Sequence, residues 1–192
     1  MPAKVKGSAL RPLVEWFAVT CSEQVLQDVG ASLSSEFLHE VRLDAPALGI
    51  LPAGWYTELL ATELGERLLE HTSDLMPETV ALRKIGEVMI DRSLGRISRA
   101  AIEWFASPET VVRSAGFFWR LYHDTGTAEA RLEGSSITGI VRGWGEHGET
   151  WCKITNAAAF RALELTGCAN PRMTAHQCGR GAGDCITTYA WG

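Results

Sequence analysis

An α+β fold with an antiparallel sheet is predicted by three observations. Apolar residues recur at helical spacing through most of residues 1–125, the pattern changes to alternation after Gly126, and the second half then orders itself as strand, strand, helix, strand, strand. At 192 residues the chain can bury a sizeable core. It shows no internal repeat, low-complexity stretch or Pro/Ser/Gly-rich linker, so one domain is expected over 1–192: a mostly helical part, 1–125, followed by a strand-rich part, 126–192.

The elements follow in chain order. Residues Val5 to Thr20 are expected to supply an extended segment, because VEWFAVT is β-branched and aromatic. SEQVLQDV from Ser22 reads as a short helix capped by the serine and ended by Gly30, and SSEFLHEV as a second one. Leu60, Leu64 and Leu68 mark one face of a helix starting near Trp55. Pro77 opens another, in which Val80, Ile85, Val88, Met89, Ile97, Ala101 and Phe105 keep a helical period, with Gly95 as a break. Ser107 caps the next helix, with Pro108 in the first turn, where a missing N–H costs nothing. That helix runs to about His123 and bears Phe117, Phe118, Trp119, Leu121 and Tyr122. TAEARLEG and SITGIVRGW form a hairpin turning at Glu133 to Ser136. WCKITNAAAFRALELTG is a helix closed by Gly167, and NPRMTAHQC and CITTYAW are the last two strands.

The totals exclude some functions. Net charge is −5, from 18 basic and 23 acidic residues, and no Lys/Arg run occurs, so the electrostatic footprint of a nucleic-acid binder is missing. No apolar run reaches the roughly 20 residues of a membrane span, and MPAKVKGSALRPLVEW lacks the apolar stretch of a secretory signal; a cytoplasmic location is expected. The five cysteines are then thiols or metal ligands before they are disulfides.

The segment HQCGRGAGDC, His176 to Cys185, carries the main chemical question. If 171–178 pairs with 185–191, Cys178 and Cys185 sit opposite one another on a face shared with Thr174, His176, Thr187, Tyr189 and Trp191. A phosphate cradle is excluded by the absence of GxxxxGK[ST] and of a helix start, and a CxxC redox pair by spacing. Two readings stay open. The cysteines are packed small hydrophobes beside a glycine turn, or Cys152, His176, Cys178 and Cys185 are the four ligands of a structural zinc.

GCANPRMTAHQCGRGAGDCITTYAW resembles the end of the 4-vinyl reductase type domains, whose fold is shared by subunits of the transport protein particle (TRAPP) and by bacterial haem NO-binding sensors. Upstream, SLGRISRAAIEWFASPETVVRSAGFFWRLYHDTG resembles an uncharacterised bacterial family in general pattern. The resemblance implies several helices covering one face of a four-stranded antiparallel sheet, a homodimer, and an apolar ligand cavity. In the related aromatic-sensing activators, zinc is held by three cysteines and a glutamate. Cys152, Cys178 and Cys185 fall where those cysteines would lie, and Ala175 replaces the glutamate. Unless His176 substitutes, the metal has been lost, and the expectation leans that way. The haem-binding branch uses a helix histidine and a Tyr-x-Ser-x-Arg motif; the motif is absent, which argues against haem, and His123 is the histidine nearest to such a role.

The function expected is a non-enzymatic regulatory or scaffolding module that binds a fatty-acyl or aromatic ligand, a partner protein, or both. No GxSxG, HExxH or dinucleotide fingerprint occurs. Trp104, Phe105, Phe117, Phe118 and Trp119 would line the cavity. The alternatives are a zinc-stabilised sensor domain and an enzyme using the Cys152 thiolate with His176 or His147 as base. A purely structural dimer would use the small residues Ala157 to Ala159 for close helix approach.

Overall fold

The computed structural model describes residues 2–105, 107–179 and 183–192, with side chains described outside 93–105. Its first long element is a helix, where the sequence suggested an extended segment. A short strand, β1 (Lys4–Lys6), leads directly into α1 (Gly7–Thr20). Leu10, Leu13, Val14 and Phe17 share one side of α1 and are fully buried. Each such burial is worth about 1.5–3 kcal/mol, which outweighs the weak strand preference of VEWFAVT.

Helix α2 (Glu23–Ala31) starts as expected at Ser22, whose hydroxyl accepts the N–H of Val25 at 3.2 Å. The second helix expected in SSEFLHEV is not formed: residues 35–40 make successive turns. Phe37 and Val41 enter the core, while the Glu40 carboxylate accepts the N–H and the hydroxyl of Thr57 at 2.8 and 2.6 Å. These long-range contacts replace a helical ladder. A 3₁₀ turn (Pro46–Gly49) follows, then β2 (Trp55–Thr57), which pairs antiparallel with β1. Helix α3 (Glu58–Thr72) therefore begins three residues later than Trp55, capped by Thr57.

Helix α4 (Glu78–Phe105) runs as one element across Gly95, and α5 (Pro108–Tyr122) follows. Ser107 stands at the N-cap position of α5, but its hydroxyl bonds the Glu109 carboxylate instead of the backbone. The main core joins α1, α3 and α4 to Trp144, Trp151, Cys152 and Cys185 from the second half.

The four-stranded antiparallel sheet is made by β3 (Thr127–Glu133), β4 (Ser136–Arg142), β5 (Arg172–Gln177) and β6 (Cys185–Ala190), in the order β3-β4-β6-β5. Gly134 turns the first hairpin at φ +58°, a backbone that side chains resist. Helix α6 (Glu149–Glu164) joins β4 to β5. Val112 of α5 and Phe160 of α6 pack with Ala130, Leu132, Ile137 and Tyr189, so both helices cover the same face of the sheet. Ala157, expected at a subunit interface, instead meets Gly86 of α4: a Cβ on Gly86 would lie 2.3 Å from its carbonyl oxygen. That alanine is therefore used within the chain. Among the described residues, no helix is long and apolar enough to cross a membrane.

Candidate metal centre

The start of α6 and the end of the β5–β6 hairpin meet at a group of thiols. Gly148 is the N-cap residue of α6, and its N–H donates to Thr62 Oγ1 of α3 at 3.0 Å, which fixes where the helix begins. Cys152 lies in the following turn, fully buried. Strand pairing of His176 with Thr187 and Gln177 with Ile186 carries Cys178 opposite Cys185, with their sulfurs 4.0 Å apart. The same register puts a bulge between Met173 and Ala175.

The fourth group is His147. Its Nε2 lies 3.2 Å from Cys185 Sγ and 3.6 Å from Cys178 Sγ, and its Nδ1 donates to the Gly145 carbonyl at 2.9 Å. The ligand atoms of His147, Cys152, Cys178 and Cys185 all lie within 4.8 Å of one another. A tetrahedral zinc with sulfur at about 2.3 Å and nitrogen at about 2.0–2.1 Å spaces its ligands roughly 3.5–3.8 Å apart. The donor set, three thiols and an imidazole oriented by a carbonyl, fits that ion.

His176 stands beside this group, its Nε2 3.7 Å from Cys152 Sγ. Thr187 donates its hydroxyl to Asn156 Oδ1 at 2.8 Å and so accepts from His176 Nδ1 at 2.9 Å. Asn156 in turn donates to the Cys152 carbonyl at 2.9 Å and its sulfur at 3.6 Å. Three of the four residues expected to hold zinc are thus brought together, with His147 in the place given to His176.

The thiols differ in acidity. Hydrogen bonding from Cys152 pulls the Cys185 thiol down to about 4 against the effect of burial, helped by His147 and the Gly179 N–H. The same hydrogen bond and burial push Cys152 far above the ordinary thiol range, and burial raises Cys178. Burial lowers His147, but the Cys185 thiolate and the Gly145 carbonyl outweigh it and raise it overall.

Behind His147 lies an aromatic stack that the sequence did not signal. Trp144 stacks on His147 at 3.9 Å between centroids, Trp119 stacks on His123 at 4.0 Å, and the two indoles meet edge to face at 4.8 Å. Glu58, fully buried at the start of α3, accepts from His123 Nδ1 at 2.8 Å and from Trp144 Nε1. Of the residues expected to line a ligand cavity, Trp119 is in this stack, whereas Phe117 and Phe118 are 61% and 41% exposed. Trp104 and Phe105 lie outside the residues whose side chains are described. A groove of about 560 Å³ between α3 and the preceding turns is lined by Phe37 and Leu59 together with Glu36, Glu63, Arg67 and Glu70, and none of the aromatics expected to line a cavity is among its residues.

The sequence matches no protein-family model and no curated protein. Solved structures do match. An H-NOX structure concerned with haem distortion superposes with a TM-score of 0.62 at 10% identity, covering 97% of this chain and 94% of that one. The chain has the H-NOX fold. An oxygen-binding H-NOX domain related to soluble guanylate cyclases, in its oxygen complex, gives 0.58 at 10% identity over 97% and 94% of the two chains. A structure bearing on the molecular mechanism of H-NOX activation gives 0.61 at 10% identity over 97% and 96%. In fold, these structures match the haem NO-binding part of the resemblance, and no likeness to 4-vinyl reductases or transport-particle subunits is shown by them. They also correct the argument against haem: the structures sharing this H-NOX fold include ones described by haem distortion and haem redox potential, so a missing Tyr-x-Ser-x-Arg motif does not set haem aside.

Proposed function

We propose that this chain is a non-enzymatic ligand-sensing domain of H-NOX fold whose sheet half is clasped by a zinc ion on His147, Cys152, Cys178 and Cys185. The observation that carries this reading is the convergence of those four ligand atoms within 4.8 Å. Four protein ligands close a tetrahedral site and leave no position for substrate, which is how structural zinc is held. The ion would supply a fixed cross-link between the start of α6 and the terminal hairpin. Cys152, the nucleophile of an enzymatic reading, is fully buried and its thiol is held protonated. One zinc per chain by native mass spectrometry, lost with the triple change of Cys152, Cys178 and Cys185 to serine, is the expected result. A protein that takes up no zinc against a weak chelator would refute it.

The ligand that the fold brings forward is haem, and His123 is the residue that would hold it. It is buried, and its Nδ1 is held by a carboxylate, the arrangement in which metal-ligating histidines are usually found. Bound haem would supply an iron for a diatomic gas. Titrating haem into the zinc-loaded protein should give a saturable Soret band that His123→Ala abolishes. An unchanged spectrum in that variant would remove His123 from the role.

A further inference from the structure

We infer that Glu58 and Trp144 are positioning residues for the zinc site, holding His147 in the orientation that closes it; this rests on the zinc reading above. His147 sits in a short loop between β4 and α6, where its ring has to be held by contacts of the side chain itself. Two contacts hold it. The Gly145 carbonyl takes Nδ1 at 2.9 Å and so leaves Nε2 to face the sulfurs, and the Trp144 indole lies flat on the ring, 3.9 Å between centroids and 8° from parallel. Trp144 is itself a near neighbour in sequence, buried in the main core edge to face with Trp119. Its Nε1–H is anchored on Glu58, a carboxylate from the far half of the chain with no exposed surface.

Glu58 is well placed to serve as that anchor. It occupies the first turn of α3, where the helix dipole favours negative charge, and its own N–H donates to the Ala3 carbonyl at 2.9 Å. Its second oxygen takes His123, which follows α5 and bridges to Val5 of β1. A buried carboxylate is retained only where its oxygens are met by donors, and both are met here. The first turn of α3, the end of α5 and the zinc loop are therefore joined through one side chain. A leucine of similar size would fill the volume but would release Trp144.

The test is zinc affinity by chelator competition in four proteins: the wild type, Glu58→Leu, His147→Ala and the double variant. Residues that orient a metal ligand affect affinity by roughly 10–100-fold, and because Glu58 acts through Trp144, about tenfold is expected for Glu58→Leu, which leaves the indole N–H without its acceptor. In the His147→Ala background the same change should alter affinity less than about twofold, since there is no ring left to orient. Trp144→Phe keeps an aromatic ring beside His147 but loses the N–H together with part of the buried indole, and should lose at least as much affinity, about tenfold, if Glu58→Leu does not fold. An equal loss in both backgrounds, or none in either, overturns the proposal while leaving the zinc site intact. A wild type that binds no zinc overturns the reading on which it rests.

Discussion

Replacing His147 and His176 separately by alanine decides which imidazole closes the site. His147 approaches two sulfurs, Cys185 at 3.2 Å and Cys178 at 3.6 Å, whereas His176 stands 3.7 Å from Cys152 and is committed through Nδ1 to Thr187. His176 thus behaves as an outer-shell group, and His176→Ala should weaken zinc binding by about tenfold, the lower end of the range for such residues. His147→Ala removes a ligand and should exceed the upper end, at more than about 100-fold. Tenfold is about 1.4 kcal/mol, so at fixed free zinc His147→Ala withdraws at least about 2.7 kcal/mol of zinc-linked stability. At roughly 2–4 °C per kcal/mol for a chain of this length, the zinc-induced rise in Tm should shrink by about 5–11 °C. Chelator competition and thermal unfolding with and without zinc read both numbers. A His147→Ala protein that holds zinc like the wild type, beside a His176→Ala protein that has lost it, would refute this assignment and restore the ligand set expected from the sequence.

Two further predictions follow. Zinc affinity should rise with pH with a slope of about two protons near neutrality, because Cys185 is already ionised down to about 4 whereas Cys152 and Cys178 are raised and must each release a proton. On the acid side the slope steepens as raised His147 also becomes protonated; calorimetry across a pH series measures it, and a flat profile would contradict the ligand assignment. Gly86→Ala should destabilise the fold by up to about 2 kcal/mol in denaturant unfolding, since overpacking at α4 and α6 costs about 1–3 kcal/mol against a helix-propensity gain of about 1. The new Cβ would lie 2.3 Å from the Ala157 carbonyl oxygen, and a more stable variant would mean that the two helices separate at no cost.

What was legible in the sequence is what nearest neighbours along an element determine. The alternation of TAEARLEG and SITGIVRGW and the pairing of Cys178 with Cys185 follow from a period of two and a short turn; the structure has the first register throughout and the second from Ala175 onward, before which a bulge puts Met173, not the expected Thr174, opposite Tyr189. The Ser22 cap is equally local. VEWFAVT misled because strand propensity is worth little beside the burial of Leu13, Val14 and Phe17 against helices from elsewhere in the chain. SSEFLHEV misled because Glu40 has a better partner in Thr57 than any helical neighbour. His147 was weighed only as a base, since its place at the site depends on where α6 starts, and that is fixed by Thr62 far upstream. The Gly145 and Gly148 flanks of that histidine, a tight turn before an acidic helix start, were the available signal. Glu58 carried none: a glutamate in the first turn of an amphipathic helix is ordinarily a solvated cap.

The position of the thiols makes physical sense of their concentration there. The main core is built chiefly by the helical half, and Trp144, Trp151, Cys152 and Cys185 are the points at which the sheet half joins it. Beyond that junction, among the described residues, the second buried cluster is the smaller one of Ile137, Leu163 and Tyr189 with partly buried residues such as Leu132 and Phe160 around it. Strand β5 is an edge strand, exposed at Arg172, Met173, Thr174 and Ala175, so it gains little from the hydrophobic effect and is retained by its ladder with β6. Apolar packing therefore weakens where the terminal hairpin has to be held. A structural zinc, whose apparent binding free energy in small zinc domains is about 10–16 kcal/mol, would compensate at that place, provided its ligands come from both sides of the gap. They do: Cys178 and Cys185 belong to the hairpin, Cys152 to the helix packed on the main core, and His147 to a loop whose indole neighbour is anchored on α3. With zinc on these four ligands, metal occupancy and the seating of the hairpin would be one equilibrium, in which the helical half would take part through Glu58.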